Sequence, residues 1–296
     1  MKKALLLGIT GSFFFAFTFV LNRSMNLGGG YCLWSAALRY FFTLPIMALL
    51  LIKGNQIAPV WQDIKQDPGT WILWSTVGFG LFYAPLTAAS LYAESWFTAS
   101  VWQFTIVAGI LLTPLFGKKI PLKNLGFSFL ILAGIMIMQA SKIAEGFKGN
   151  LILALSMIAV AAFSYPLGNR KMMQFIGGRL TTVQRVFGMT LCSIPFWILC
   201  AVFSWSQAGL PGPSQCLQSF CVALFSGCIA TVLFFRATDL VKDNPRQLAI
   251  IEATQCGEVI FTLLLGVLIL HDGMPQPAAL AGIGIIVVGM ILNSGV

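Results

Sequence analysis

The chain has 296 residues, of which 58% are hydrophobic and 9% charged, against about 25% charged in an ordinary soluble domain. That leaves too little polar surface to cover a water-soluble globule, so the chain belongs in a bilayer. The formal net charge of +9 falls between apolar runs, which fits membrane topology rather than nucleic-acid binding, and the single histidine, His271, argues against a His-ligated metal site.

A spanning helix needs roughly 20 mostly apolar residues. Ten such runs are expected: 4–21, 31–52, 71–92, 96–116, 123–140, 150–168, 182–204, 217–238, 246–270 and 277–293. The first follows Lys2 and Lys3. No small-x-small cleavage site follows it and Asn22-Arg23 closes it, so it reads as a retained helix rather than a signal peptide. The second run carries Arg39, the third Tyr83 beside Pro85, and the fourth Trp102-Gln103. Glu94 falls at the turn before the fourth run and reads as solvated. The sixth run carries Tyr165-Pro166 and the seventh Arg185. In the eighth, Arg236 and Asp239 stand three apart and can pair locally.

The ninth run holds Glu252, Gln255 and Glu258. Pro245 suits its first helical position, with Asn244 as cap. At 1.5 Å rise per residue, Glu252 lies roughly 10 Å and Glu258 roughly 20 Å along it. At 100° per residue, the three polar residues fall within about a 120° arc. Acids at such depth cost on the order of 3 kcal/mol each on insertion scales, so the arc should face the bundle interior or a wet cavity. Two readings stand. The carboxylates carry protons or meet a cationic substrate, with Glu258 the better proton carrier and Glu252 the better substrate or gate residue. Otherwise they are structural pairs with Arg185 or Arg236.

Aromatic residues are dense, with 25 Phe, 8 Trp and 5 Tyr. Trp71, Trp74, Trp96 and Trp205 fall near run ends and read as interface anchors. Trp102, Tyr83 and Tyr165 fall deeper. They suit a flat or cationic organic solute, and equally helix packing. Pro45, Pro85, Pro114 and Pro195 lie within runs and can kink them. Most of the seven cysteines lie in apolar runs and read as small hydrophobes. Cys216 and Cys221, close together near a predicted outer loop, leave a disulfide open.

With the N-terminus cytoplasmic, twelve basic residues fall inside: Lys2, Lys3, Lys53, Lys65, Lys118, Lys119, Lys123, Arg170, Lys171, Arg179, Lys242 and Arg246. Three fall outside: Arg23, Lys142 and Lys148. Both termini are therefore expected in the cytoplasm. The chain also repeats. "FTFVLNRSM" (17–25) and "FSYPLGNRKM" (163–172) both carry an aromatic stretch and then Asn-Arg. "LRYFF" (38–42) parallels "QRVFG" (184–188), and "LLTPLFGKKIP" (111–121) parallels "LLGVLILHDGMP" (264–275). Trp102-Gln103 in the fourth run corresponds to Thr254-Gln255 in the ninth. Each repeat, 1–143 and 144–296, thus has five spans. An odd number inverts the second repeat relative to the first, the plan of many secondary transporters, with the site at the midplane between repeats.

The five-plus-five order, with a Gly-spaced helix closing each half, resembles the ten-helix drug/metabolite transporter superfamily with two EamA-type halves. Within it the chain is most similar to the branch named for multidrug resistance efflux. The resemblance covers nearly the whole chain and implies export of small organic solutes. The sequence departs from the common pattern where a glutamate often precedes the last helix of each half. Those turns read "GKKIP" and "HDGMP" here, so His271-Asp272 supplies the acid in the second half alone. The first-helix glutamate of the four-helix small multidrug resistance proteins has no counterpart in residues 4–21.

The expectation is an all-α membrane protein of the bacterial cytoplasmic membrane: a secondary transporter of small organic solutes working by alternating access, with or without proton coupling. Exchange of an amino acid or metabolite is the alternative within transport. A membrane enzyme or lipid-handling protein is the alternative outside it. The substrate candidates are Glu252, Gln255, Gln103, Trp102, Tyr83 and Tyr165, the proton carrier is Glu258, and Arg39 and Arg185 are gate charges at the outer and inner mouths. No GxxxxGK[ST] loop occurs, so direct ATP coupling is not expected. No cofactor, metal or nucleic acid is expected. The partners are the solute and membrane lipids, and the chain is a monomer or a homodimer.

Overall fold

The structure, a computed structural model, describes all residues except 53, 118, 121, 145–149, 242–250, 252, 253, 295 and 296. Glu252, Lys242, Arg246 and the Asn244-Pro245 start of the ninth run therefore lie outside the described residues, as does the side chain of Asp239. The described residues form helices and no strand. In chain order these are α1 (Lys2–Leu27), α2 (Cys32–Ile52), α3 (Ile57–Gln66), α4 (Pro68–Ala89), α5 (Ser95–Leu111), α6 (Leu122–Ala144), α7 (Leu151–Ile176) and α8 (Thr182–Ala208). There follow α9, made of Pro213–Val222, Ala223–Ala230 and Thr231–Asp239, then α10 (Cys256–Leu270) and α11 (Pro277–Ser294).

Among the described residues, six helices are long and apolar enough to cross a membrane: α1, α2, α4, α7, α8 and Pro213–Phe234 of α9. Four further apolar helices, in α5, α6, α10 and α11, are shorter. Outward-facing Leu49, Leu199 and Leu268 remain exposed, as side chains meeting lipid do.

Several ends differ from the sequence expectation, each for a physical reason. Asn22-Arg23 does not close α1. The helix continues to Leu27 because its polar groups find partners on α4 and just beyond it. Asn22 Nδ2 donates to Tyr83 Oη at 3.0 Å, and Arg23 Nη1 donates to the Ser90 carbonyl at 2.9 Å. Likewise α7 carries Asn169-Arg170-Lys171 inside the helix and stops only at Gly177, whose φ of +57° suits a left-handed helix end. α3 was not expected at all. It is short and amphipathic, with Val60, Asp63 and Ile64 buried. Asp63 takes an ion pair from Arg179 at 2.7 Å and a hydrogen bond from Trp71 Nε1 at 3.1 Å.

That bond corrects the reading of Trp71 as an interface anchor. Trp71 is fully buried, its ring edge against Gly188, where a Cβ would lie 2.6 Å from it. Trp96 is buried as well, whereas Trp205 stays exposed. Pro114 sits in a 3₁₀ turn at the end of α5 rather than inside a span, while Pro45, Pro85, Pro166 and Pro195 lie within helices. Cys216 and Cys221 are free. Five positions apart on one helix, they project about 140° apart and cannot be bridged.

The principal contacts pair the two halves. α1 packs on α9 and α10, and α7 packs on α4 and α5. α2 packs on α8, and α6 on α11. Exchanging the spans of one half for those of the other leaves this pattern unchanged. The α6–α11 contact brings backbones together at Gly134 and Gly282, where a Cβ on either would lie within 2.7 Å of the other's carbonyl oxygen. Two matched helices are locally wound as π-helix, α4 at Thr76–Gly80 and α9 at Ala223–Ala230. Such segments recur at functional sites.

Candidate functional site

The helices enclose a cavity of about 170 Å³, below the roughly 300–1,000 Å³ of pockets for drug-sized ligands. It therefore suits a small solute. α1, α2, α4, α5, α7, α8, α9 and α10 all line it, and the α6–α11 pair does not.

Arg39 on α2 turns into this cavity. This corrects the expectation of a charge at the outer mouth or among headgroups. Its guanidinium carbon lies 4.0 Å from the centroid of the Tyr83 ring and 5.8 Å from that of Tyr40, a cation–π cradle that offsets part of the desolvation. Nη2 donates to Ser226 Oγ at 3.2 Å, and Thr18 Oγ1 donates to the same oxygen at 2.6 Å. Nη1 is buried and has no hydrogen bond. Tyr83 itself does not reach the cavity surface. It is fully buried behind Arg39, with its hydroxyl held by Asn22.

Glu258 lines the cavity from α10. It is 9% exposed and lines the cavity together with Gln103, whose amide donates to the Ala99 carbonyl at 3.2 Å. Among the described residues of the ninth run, Thr254-Gln255 form a turn and the helix begins at Cys256. Glu258 thus sits in the first turn of α10, where the helix dipole favours negative charge. Arg39 and Glu258 line one space without closing into an ion pair with each other. A solute charge within about 4 Å of either would feel roughly 4 kcal/mol at an effective dielectric of about 20.

Gln103 and Gln255 both line the cavity, each at a helix break. α5 is interrupted at Gln103, between Ser95–Trp102 and Phe104–Leu111. The hydrogen bonds at both breaks tighten from the i−4 to the i−3 carbonyl: Gln103 N to Ser100 O at 3.2 Å, and Glu258 N to Gln255 O at 2.9 Å. Nearby hydroxyls turn onto their own helix, Ser100 Oγ to Trp96 O and Thr254 Oγ1 to Ile251 O, offering the backbone an alternative partner. Mid-helix 3₁₀ turns of this kind often mark hinges.

Trp102 and Tyr165 form an aromatic wall with Phe82, at centroid distances of 5.1 Å for Phe82–Trp102 and 4.8 Å for Phe82–Tyr165. Arg185, the sequence counterpart of Arg39, does not line the cavity. It is half-buried on α8 beside Tyr165. Asp272 accepts from Ser95 Oγ at 2.7 Å and so clasps the start of α5. Glu94, expected in solvent, is half-buried.

The two ends of the cavity differ. At the Leu27 end of α1, Asn22 bonds Tyr83 and Thr87 of α4, and Asn26 bonds Ser90 just beyond it. At the other end the sequence counterpart Asn169 lines the cavity and donates back to its own Tyr165 carbonyl at 2.8 Å. Sequence reasoning used Asn22 and Asn169 only as repeat markers. An Asn-Arg step inside an otherwise spanning helix was the available signal that they make tertiary bonds. Ser226 and Thr18 gave no such signal, because small hydroxyls are common in spans and cheap to bury on their own helix.

The chain matches over residues 2–296 the family described as "Putative multidrug resistance efflux transporter". It is 48% identical over 306 aligned residues to "Uncharacterized protein YjlA" of Bacillus subtilis (strain 168), an alignment covering 99% of this chain and 94% of that protein. It is 44% identical over 268 to an "Uncharacterized 42.1 kDa protein in intracellular alkaline protease 3'region" of Shouchella clausii, covering 87% of this chain and 70% of that one.

Proposed function

The chain belongs to the family of putative multidrug resistance efflux transporters, and from that premise we propose that it is a secondary transporter of the bacterial cytoplasmic membrane, exporting small organic solutes by alternating access. The reading takes the chain as ten spans in two inverted repeats, 1–143 and 144–296, with both termini cytoplasmic. The neighbour pattern of the helices supports it, as do the π-helical segments in α4 and α9 and the breaks at Gln103 and Gln255, each set at equivalent places in the two halves.

The observation that carries the proposal is the cavity lined from both parts of the chain, whose two ends are bonded differently among the described residues: Arg170 beside Asn169 reaches the Gly109 carbonyl of α5, while the asparagines themselves differ. Asn22 crosses from α1 to α4, whereas Asn169 turns back on α7. A single repeat plan held in two arrangements is what alternating access requires: rocking one half against the other exchanges which asparagine crosses. With the N-terminus inside, the end where Asn22 crosses is the external one, and in this reading the cavity serves cytoplasmic solute. Glu258 is the carboxyl among its described residues and is the proton carrier of a proton-coupled cycle. The substrate contacts are Gln103, Gln255, Trp102 and Tyr165.

The test is solute flux in proteoliposomes holding the full chain, run over a panel of drug-like and metabolite-like solutes with and without an imposed pH gradient. Accumulation driven by the gradient is the expected result. Equal flux without a gradient would assign exchange instead, and flux no greater than in protein-free liposomes for every solute would overturn the transporter reading.

A further inference from the structure

Resting on the transporter reading, we propose that the solute is a small zwitterion, bound with its anionic group at Arg39 and its cationic group at Glu258. Arg39 and Glu258 face one cavity and form no ion pair with each other. Arg39 is held by the Tyr83 ring and Ser226, with Nη1 left buried and unbonded. Glu258 lines the cavity with Gln103 from the first turn of α10. A buried guanidinium nitrogen without a partner is costly, and a carboxylate-type oxygen from the solute would supply the missing acceptor in bidentate fashion. The acid opposite then selects a protonated amine.

The alternatives fit less well. A lipophilic cation would be attracted to Glu258 but repelled by Arg39, which no titration removes. A simple anion answers Arg39 but leaves the Glu258 carboxyl without a partner. A neutral solute leaves Arg39 unanswered in a largely apolar chamber. The chamber's size favours an amino-acid-sized molecule, and the Phe82–Trp102–Tyr165 wall supplies an apolar surface for its side chain.

The experiment uses the purified full chain and reads ligand-induced thermal stabilisation. The probes are alanine, leucine and phenylalanine, each beside its decarboxylated amine and its deaminated acid. At least one amino acid should stabilise the protein at a concentration about tenfold below both of its partners. Arg39→Gln should cut the preference for that amino acid over its amine by about tenfold, and Glu258→Gln its preference over the acid by a similar factor. Arg39→Lys keeps the charge and should hold the first preference within about threefold, which separates charge recognition from simple damage at this position. Should every amino acid bind no better than its own amine or acid, the proposal is wrong, whatever the variants do. Preferences unchanged in both Gln variants would also overturn it. Gradient-driven flux of a cationic solute, with no zwitterion preference, would sink the substrate class alone. Zwitterion binding with no flux of any solute would instead sink the transporter reading.

Discussion

A charge inside an apolar bundle is retained only where something answers its desolvation. Arg39 is answered by Tyr83, Tyr40 and Ser226, and Glu258 by a helix start. Both residues were visible in the sequence as charges at depth. Their partners were not, because cation–π and hydroxyl contacts depend on which helices become neighbours. If transport is proton-coupled, Glu258→Gln keeps size and hydrogen bonding but cannot change protonation. Its flux should therefore lose pH dependence while the protein elutes and melts like the parent. An unchanged pH profile in that variant would make the carboxylate structural. Gly168 makes the opposite kind of prediction. A Cβ there would overlap the Gly78 backbone of α4, so Gly168→Val should destabilise by about 1–3 kcal/mol through overpacking, seen as a lower melting temperature in detergent. A melting point equal to the parent's would mean that α4 and α7 are not in contact there.

Elements were legible where apolar length decides them and illegible where hydrogen bonding does. The runs 31–52 and 182–204 became α2 and α8 with small changes at their ends. The interruptions at Gln103 and Thr254-Gln255 lie in stretches whose hydropathy gives no hint of a break, because the signal is hydroxyls competing for backbone carbonyls. The amphipathic α3 was missed because it is short and lies between spans. Of the candidate site, Trp102, Gln103, Tyr165, Gln255 and Glu258 share the cavity as expected, while Tyr83 and Arg185 do not line it. The end where Asn22 crosses makes a quantitative prediction. Asn22→Ala removes two buried side-chain bonds, to Tyr83 and Thr87, each worth about 1 kcal/mol net. Removing both should shift the balance of states by roughly 5- to 30-fold toward opening at the Leu27 end. The rate at which an external thiol reagent reaches a cysteine placed at Thr18 should rise accordingly. A rate unchanged from the parent would mean that these bonds do not hold that end shut.

For the whole molecule, the repeat read from sequence landmarks stays a proposal, which the pattern of helix neighbours supports. Orientation rests on the distribution of lysine and arginine. Tags in 205–216 should be reached from outside intact cells, and tags near Lys119 only after permeabilisation. The reverse pattern would turn the assigned cytoplasmic end into the external one. The central claim is that the two halves exchange roles about one cavity. With the native cysteines replaced, Asn22→Cys and Asn169→Cys report the two ends separately. The measurement is the labelling rate of each from the aqueous phase on its own side, in proteoliposomes with and without an imposed pH gradient. The account predicts reciprocal change: conditions that expose position 22 protect position 169, and the reverse. Both positions labelling rapidly together, as in an open channel, or neither rate changing under conditions that drive flux, would contradict it.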